Sequence, residues 1–134
     1  MNYSENRKIN FEYTIEETFT AGMILTGHQT ASIRARKVTI PASYVVWQKN
    51  HLELINVGFG SDTESIPLLL DKKEVDKVRG AILTAGKTVV ALRIKPVRRW
   101  IKVDIGIAKG KKLYEKKETI KKRDLDRLER KGLL

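Results

Sequence analysis

The stretch KTVVALRIKPVRRWIKVDIGI, residues 87–107, decides the fold class. In its second half Ile101, Val103, Ile105 and Ile107 alternate with Lys102 and Asp104, the two-residue period of a strand with one buried face. In its first half Thr88, Val90, Leu92 and Ile94 alternate with Lys87, Arg93 and Lys95 before the interruption at Pro96-Val97-Arg98-Arg99. Working upstream, Asp71 followed by Glu74 reads as a capping pair, and Val75, Val78 and Ile82 share one face of a helix ending near Ala85-Gly86. Gly58 to Pro67 reads as a short loop. Ser43 to Gln48 and His51 to Val57 are β-rich runs whose two-residue connection, Lys49-Asn50, suits a hairpin. Gln29 to Lys37 predicts a brief helix anchored by Ile33 and presenting Arg34, Arg36 and Lys37. Tyr13, Ile15, Phe19, Ala21, Met23 and Leu25 predict one long half-buried strand, with Glu17 the misfit on its apolar face and Gly22 a bulge or bend. Downstream of Ala108, Leu113, Ile120, Leu125 and Leu128 are too sparse for a core stripe. The expectation is a mainly β protein: a small antiparallel OB-like barrel with two or three short helices over residues 1–107. A basic, flexible tail, helical when bound, occupies residues 108–134. No internal repeat and no second domain is seen.

The chain has 134 residues and a formal net charge of +11. From Ala108 onward eleven basic residues face five acidic ones, a net of +6, while the first 107 residues carry only +5. Clustered Lys and Arg gain free energy by displacing counterions from a polyanion, so the tail is the electrostatic organ. On charge alone a solvated helix face or contact with anionic lipid stays open, although the tail has no leucine-dense face to insert. The longest apolar runs, such as Ile66 to Leu70, fall far short of the roughly 18–20 residues of a membrane span. With no cysteine and no apolar run in Met1–Asn10, a reducing cytoplasm is expected.

Catalytic chemistry finds no foothold. Glu16 and Glu17 are adjacent in a predicted strand and point to opposite faces, a poor acid/base pair. His28 and His51 lack metal-ligand spacing, and the phosphate-loop match at Gly106, Gly110 and Lys111 fails because Lys112 stands where a hydroxyl is needed. No enzyme activity, metal or cofactor is expected. Among the aromatics, Tyr44, Trp47 and Trp100 lie in predicted strands and read first as core, with base stacking second. Tyr114, between Lys111-Lys112 and Lys116-Lys117, is open to either solvent or an exposed base.

The segment GIAKGKKLYEKKETIKKRD, residues 106–124, resembles the SsrA-binding protein family, small protein B, the partner of transfer-messenger RNA. The resemblance runs through nearly the whole chain. It includes Asn6-Arg7-Lys8, Tyr13 to Glu17, Ala21 to Gly27, Ser32 to Val38, Leu68-Leu69-Leu70 and Trp100 to Val103. It implies an OB-type barrel, without catalysis, that binds the tRNA-like domain of transfer-messenger RNA, and a tail that enters the empty mRNA channel of a stalled ribosome near the decoding centre of the small subunit. Rescue of the ribosome and tagging of the nascent chain for degradation follow from that role, and a monomer is expected. A general OB-fold protein that binds rRNA is the alternative.

Expected barrel contacts are Thr20, Leu69 and Asp71, at positions the resemblance implicates in RNA binding, together with Gly22 and the helix cations Arg34, Arg36 and Lys37. Expected ribosome contacts are Tyr114, Glu115, Lys116, Lys117, Lys121, Lys122 and Arg123, which match the family's tail motifs, together with the basic Lys109, Lys111 and Lys112. Several positions depart from the family pattern. Thr20 stands where a Glu is usual, Asp71 where an Asn or His is usual, and Gln29 where a Glu is usual, and the loop before Pro67 is short. Glu115 and Lys117 keep the charges of the family's Asp and Arg, although Lys lacks the bidentate fork of Arg.

Overall fold

The computed structural model describes residues 2–110. The elements in chain order are β1 (Ser4–Glu5), α1 (Ile9–Glu12), β2 (Tyr13–Met23), α2 (Gly27–Arg34), β3 (Tyr44–Gln48), β4 (His51–Phe59), β5 (Asp62–Leu69), α3 (Lys72–Ile82), β6 (Lys87–Val97) and β7 (Trp100–Gly110). Every strand pairing is antiparallel, in the order β1-β6-β3-β4-β5-β2-β7. Because β6 also pairs with β7, the order runs back to β6 and the sheet closes into a barrel, which removes most of its free edges. This is the expected mainly β architecture.

The barrel interior is filled by branched aliphatic residues, among them Ile40, Leu52, Leu54, Ile66, Ile94, Val103 and Ile105, all fully buried. Each contributes roughly 1.5–3 kcal/mol on leaving water. The Lys49-Asn50 connection is a hairpin turn with both residues in the left-handed region (φ 52° and 63°), the mirror-type turn whose twist matches the flanking strands. Helix α2 begins earlier than its expected start because Thr26 and Gln29 form a reciprocal capping box. The Thr26 hydroxyl accepts from the Gln29 backbone N–H (3.1 Å), and the Gln29 side chain accepts from the Thr26 N–H (3.0 Å). Helix α3 buries Val78 and Ala81, and the Asp71 carboxylate caps it as expected, accepting from the Glu74 N–H at 2.9 Å.

Three expectations are corrected. The supposed loop from Gly58 to Pro67 is the β4–β5 hairpin, turning at Gly60 (φ 70°) with Phe59 opposite Asp62. Its polar run Ser61–Ser65 hides the strand, because no apolar stripe begins until Ile66 and Leu68. The bulge in β2 lies between Ile15 and Glu17, where Glu16 is the extra residue, and not at Gly22, which pairs regularly with Leu69 and Lys102. A one-residue bulge flips the face of everything beyond it. Phe19 and Ala21 therefore join the barrel core, whereas Tyr13 and Ile15 pack outside it against Val90, Leu92 and Ala108. A second bulge between Ala91 and Arg93 acts likewise in β6, so Val89, Ala91 and Ile94 form its inner face, not the series Thr88, Val90, Leu92. Outside these expectations, the polar N-terminus supplies β1 and α1, and Ile9 of α1 covers the outer apolar cluster.

Strand β7 continues through Gly110, so Ala108 and Lys109 belong to the sheet. The rest of the expected tail, with Lys111, Lys112, Tyr114, Glu115, Lys116, Lys117, Lys121, Lys122 and Arg123, lies outside the described residues.

Candidate nucleic-acid interface

Three adjacent strands, β6, β7 and β2, and the end of β5 build one outward face. Alternation along β7 sends Val103 and Ile105 into the core and leaves Trp100, Lys102 and Asp104 facing out. The pairing then fixes their neighbours. Lys102 stands between Lys95 of β6 and Gly22 of β2, and Gly22 in turn lies opposite Leu69 of β5. The next row runs Arg93, Asp104, Thr20. At the end of the hairpin Trp100 pairs with Val97 across the turn residues Arg98 and Arg99.

Two exposed apolar side chains interrupt this polar surface. Trp100 is 66% exposed and Leu69 56%. They flank a shallow cleft of about 290 Å³ whose walls include Gly22, Met23, Ile101 and Lys102. Gly22 keeps that cleft open: a Cβ there would sit 3.3 Å from the Leu69 Cβ.

The second row is an ordered charge network around one buried carboxylate. Asp104 accepts from the Thr20 hydroxyl (2.7 Å) and from Arg93 Nη1 (2.7 Å), and the Lys95 Nζ lies 3.0 Å away. Burial alone would push the Asp104 carboxyl upward. The Thr20 hydroxyl, the Lys95 ammonium and the Arg93 guanidinium together outweigh that and hold it below the ordinary carboxylate value. Asp104 is thus an ionised anchor that fixes two cations. With Lys102, Arg98 and Arg99 beside them, the face presents five cations around this one buried carboxylate; the exposed Glu5 at its margin lies within ion-pair distance of Arg7.

Of the expected barrel contacts, Thr20, Gly22 and Leu69 come together on this face, and Asp71 follows Leu69 by two residues at the α3 cap. Arg34, Arg36 and Lys37 do not share its rows. They are exposed at the end of α2, where Arg36 (φ 61°) donates to the Asn2 carbonyl just ahead of β1, on the edge of β6 away from β7. Lys109 is exposed at the far end of β7, opposite Thr14 and Lys87. Arg93, Lys95, Lys102, Asp104 and Trp100 were not among the expected contacts. Their signal was present in the sequence, since Trp100 has the same parity as Lys102 and Asp104 and the opposite parity to Ile101 and Val103.

Trp100 is therefore a surface residue, and Tyr44 is also exposed (38%). Trp47 is partly buried against the core, with the Arg79 guanidinium 4.5 Å above its ring. Among the described residues no group of three or more His, Asp or Glu side chains is placed to hold a metal ion, and no helix is long and apolar enough to cross a membrane.

The face and the point where the chain leaves the barrel are far apart. Trp100 opens β7 and Gly110 closes it, and ten steps of about 3.4 Å put roughly 30 Å between them. A different cleft, of about 590 Å³ and lined by Lys8, Tyr13, Ser43 and Tyr44 among others, lies beside that exit, since Tyr13 pairs with Gly110.

Comparison with known proteins gives this geometry a family. The family model described as SmpB protein matches residues 3–133. The SsrA-binding protein of Acholeplasma laidlawii is 36% identical over 140 residues, covering 97% of this chain and 94% of that protein. That of Trichodesmium erythraeum is 41% identical over 132 residues (90% and 85%), and that of Wolbachia pipientis wMel 42% over 135 residues (92% and 91%). A solved structure described as "tmRNA-SmpB: a journey to the center of the bacterial ribosome" superposes with a TM-score of 0.66 at 32% identity, covering 87% of this chain and 92% of that one. With its barrel, its cationic face and its sequence all in agreement, the chain belongs to the SmpB family.

Proposed function

We propose that this chain is a non-catalytic RNA-binding adaptor of trans-translation. It binds the tRNA-like domain of transfer-messenger RNA through the Leu69–Gly22–Lys102–Lys95 face and delivers that RNA to ribosomes stalled without mRNA in the A site. The residues after Gly110 enter the vacant mRNA channel, so that translation resumes and the nascent chain is tagged. The observation that carries the reading is the cationic face with two exposed apolar side chains, at one end of the barrel of an SmpB-family chain, about 30 Å from the point where the basic segment leaves. One end holds one RNA while the other end reaches a second. Family relatives named for binding SsrA, and the solved tmRNA-SmpB assembly on the ribosome, support the same partners.

The division of labour sets the experiment. The chain ended at Gly110 should bind the tRNA-like domain as the full chain does and fail to support tagging on ribosomes stalled on a truncated message. A chain so shortened that still tags would overturn the two-ended model. The cut belongs at Gly110 because a cut at Ile107 removes the last three residues of β7.

A further inference from the structure

Trp100 is out of keeping with the rest of the fold. A large indole left 66% exposed at a hairpin end forgoes the burial that makes tryptophan worth having in a core. It also sits where exposure has a use: the cleft it forms with Leu69 and Gly22 is apolar and is lined by Lys102, with Lys95 beside Lys102 in the sheet and Arg98 and Arg99 in the turn that precedes Trp100. We propose that Trp100 is the stacking platform for a single unpaired nucleotide of the bound RNA, whose base enters the Trp100–Leu69 cleft while its flanking phosphates lie on Lys102 and Lys95. The proposal rests on the RNA-adaptor reading and adds to it the class of nucleotide that is read.

The chemistry selects the occupant. An apolar cleft alone suits any hydrophobic side chain, but the neighbouring cations demand a polyanion, and two such faces repel one another, which disfavours a second copy of the chain. A base within a duplex has both its faces covered by neighbours, so only a looped-out or unstacked nucleotide offers a free π-face to an indole. Gly22 makes the site accessible, because any side chain there would occupy the floor of the cleft against Leu69. Lys102 anchors the position from below: its backbone is paired on both sides, to Lys95 and to Gly22, so its ammonium projects from a rigid part of the sheet.

The test uses the full chain and the tRNA-like domain of transfer-messenger RNA at near-physiological salt, with excess tRNA as competitor. Trp100→Ala and Trp100→Leu should both weaken binding by roughly 5- to 150-fold, the range seen when base-stacking aromatics are removed, and Trp100→Phe should weaken it less. Circular dichroism should be unchanged in all three. A parallel full chain carrying Trp47→Phe leaves Trp100 as its sole tryptophan, and its emission should be quenched and shielded from acrylamide as RNA is added. Selective wild-type binding that Trp100→Ala leaves intact overturns the stacking proposal alone, as does a Trp100→Leu chain that binds like the wild type. A free chain that sediments as a dimer with Trp100 already shielded assigns the cleft to a second copy and overturns it too. Wild-type binding no better than to competitor tRNA overturns the adaptor reading and the stacking proposal together.

Discussion

Replacing Asp104 by Asn keeps its shape and removes its charge. The variant loses the charge-assisted part of two contacts, from Arg93 at 2.7 Å and Lys95 at 3.0 Å, while its amide oxygen still accepts from the Thr20 hydroxyl. Hydrogen bonds to charged groups are worth about 1.5–3 kcal/mol each when fully shielded. Here the carboxylate is 7% exposed but its partners are 45% and 31% exposed, so water screens part of the interaction and both cations rehydrate once released. The expected cost at pH 7 is about 1–2 kcal/mol, or roughly 4–10 °C in Tm. The pH dependence has a defined sign. Asp104 is held below its unfolded value of about 3.9, so its contribution is fully present above that value and is lost as pH falls through the folded pKa. Urea unfolding of the wild type and Asp104→Asn between pH 7 and pH 2 should therefore show two stability curves that are separated at neutral pH and converge in acid. Curves that stay parallel throughout would refute the assignment of an ionised anchor, and a variant more stable than the wild type at pH 7 would show that burial outweighs the pairing.

Asp71→Ala removes the α3 cap and should cost about 0.5–2 kcal/mol in thermal or urea unfolding, whereas Asp71→Asn should cost little, because Asn caps as well as Asp. An RNA affinity that changes in the Asn variant at constant stability would add a contact role for the charge. Gly22→Val should fill the cleft beside Leu69 and weaken binding of the tRNA-like domain by tenfold or more, about 1.4 kcal/mol, while circular dichroism reports an intact barrel. If the residues after Gly110 make about six phosphate contacts, their removal should flatten the slope of log K against log[salt] for ribosome binding by roughly 4–5 units. An unchanged slope removes them from that interface.

The barrel was legible because its strands carry a two-residue period and its helices carry caps: the alternation of Ile101 to Ile107 and the Asp71–Glu74 pair read correctly from the chain alone. What misled was local irregularity. A bulge at Glu16 and another at Leu92 each reverse the buried face, and no composition marks them, so Tyr13, Ile15, Val90 and Leu92 read as core of the barrel when they pack on its outside. The β5 strand was hidden for a different reason, since the pairing of Thr63 and Glu64 with β4 is a property of the neighbouring strand and not of their own side chains. At the site, Thr20 and Leu69 were named through the family resemblance, and the cross-strand register then brought them together with Gly22. Asp104 and Arg93 escaped because a carboxylate and a guanidinium eleven residues apart become partners only once β6 folds back along β7. Trp100 escaped because aromatic residues in strands are usually buried, although its parity already opposed that of Ile101 and Val103.

The affinity of the full chain for the tRNA-like domain of transfer-messenger RNA, at near-physiological salt and with excess competitor tRNA, tests the central claim most directly. The account predicts selective binding that weakens when Lys102, which pairs with no carboxylate among the described residues, is changed to Glu, with no loss of fold. Binding no tighter than to competitor tRNA would contradict it and leave a cationic barrel with no preference for that RNA.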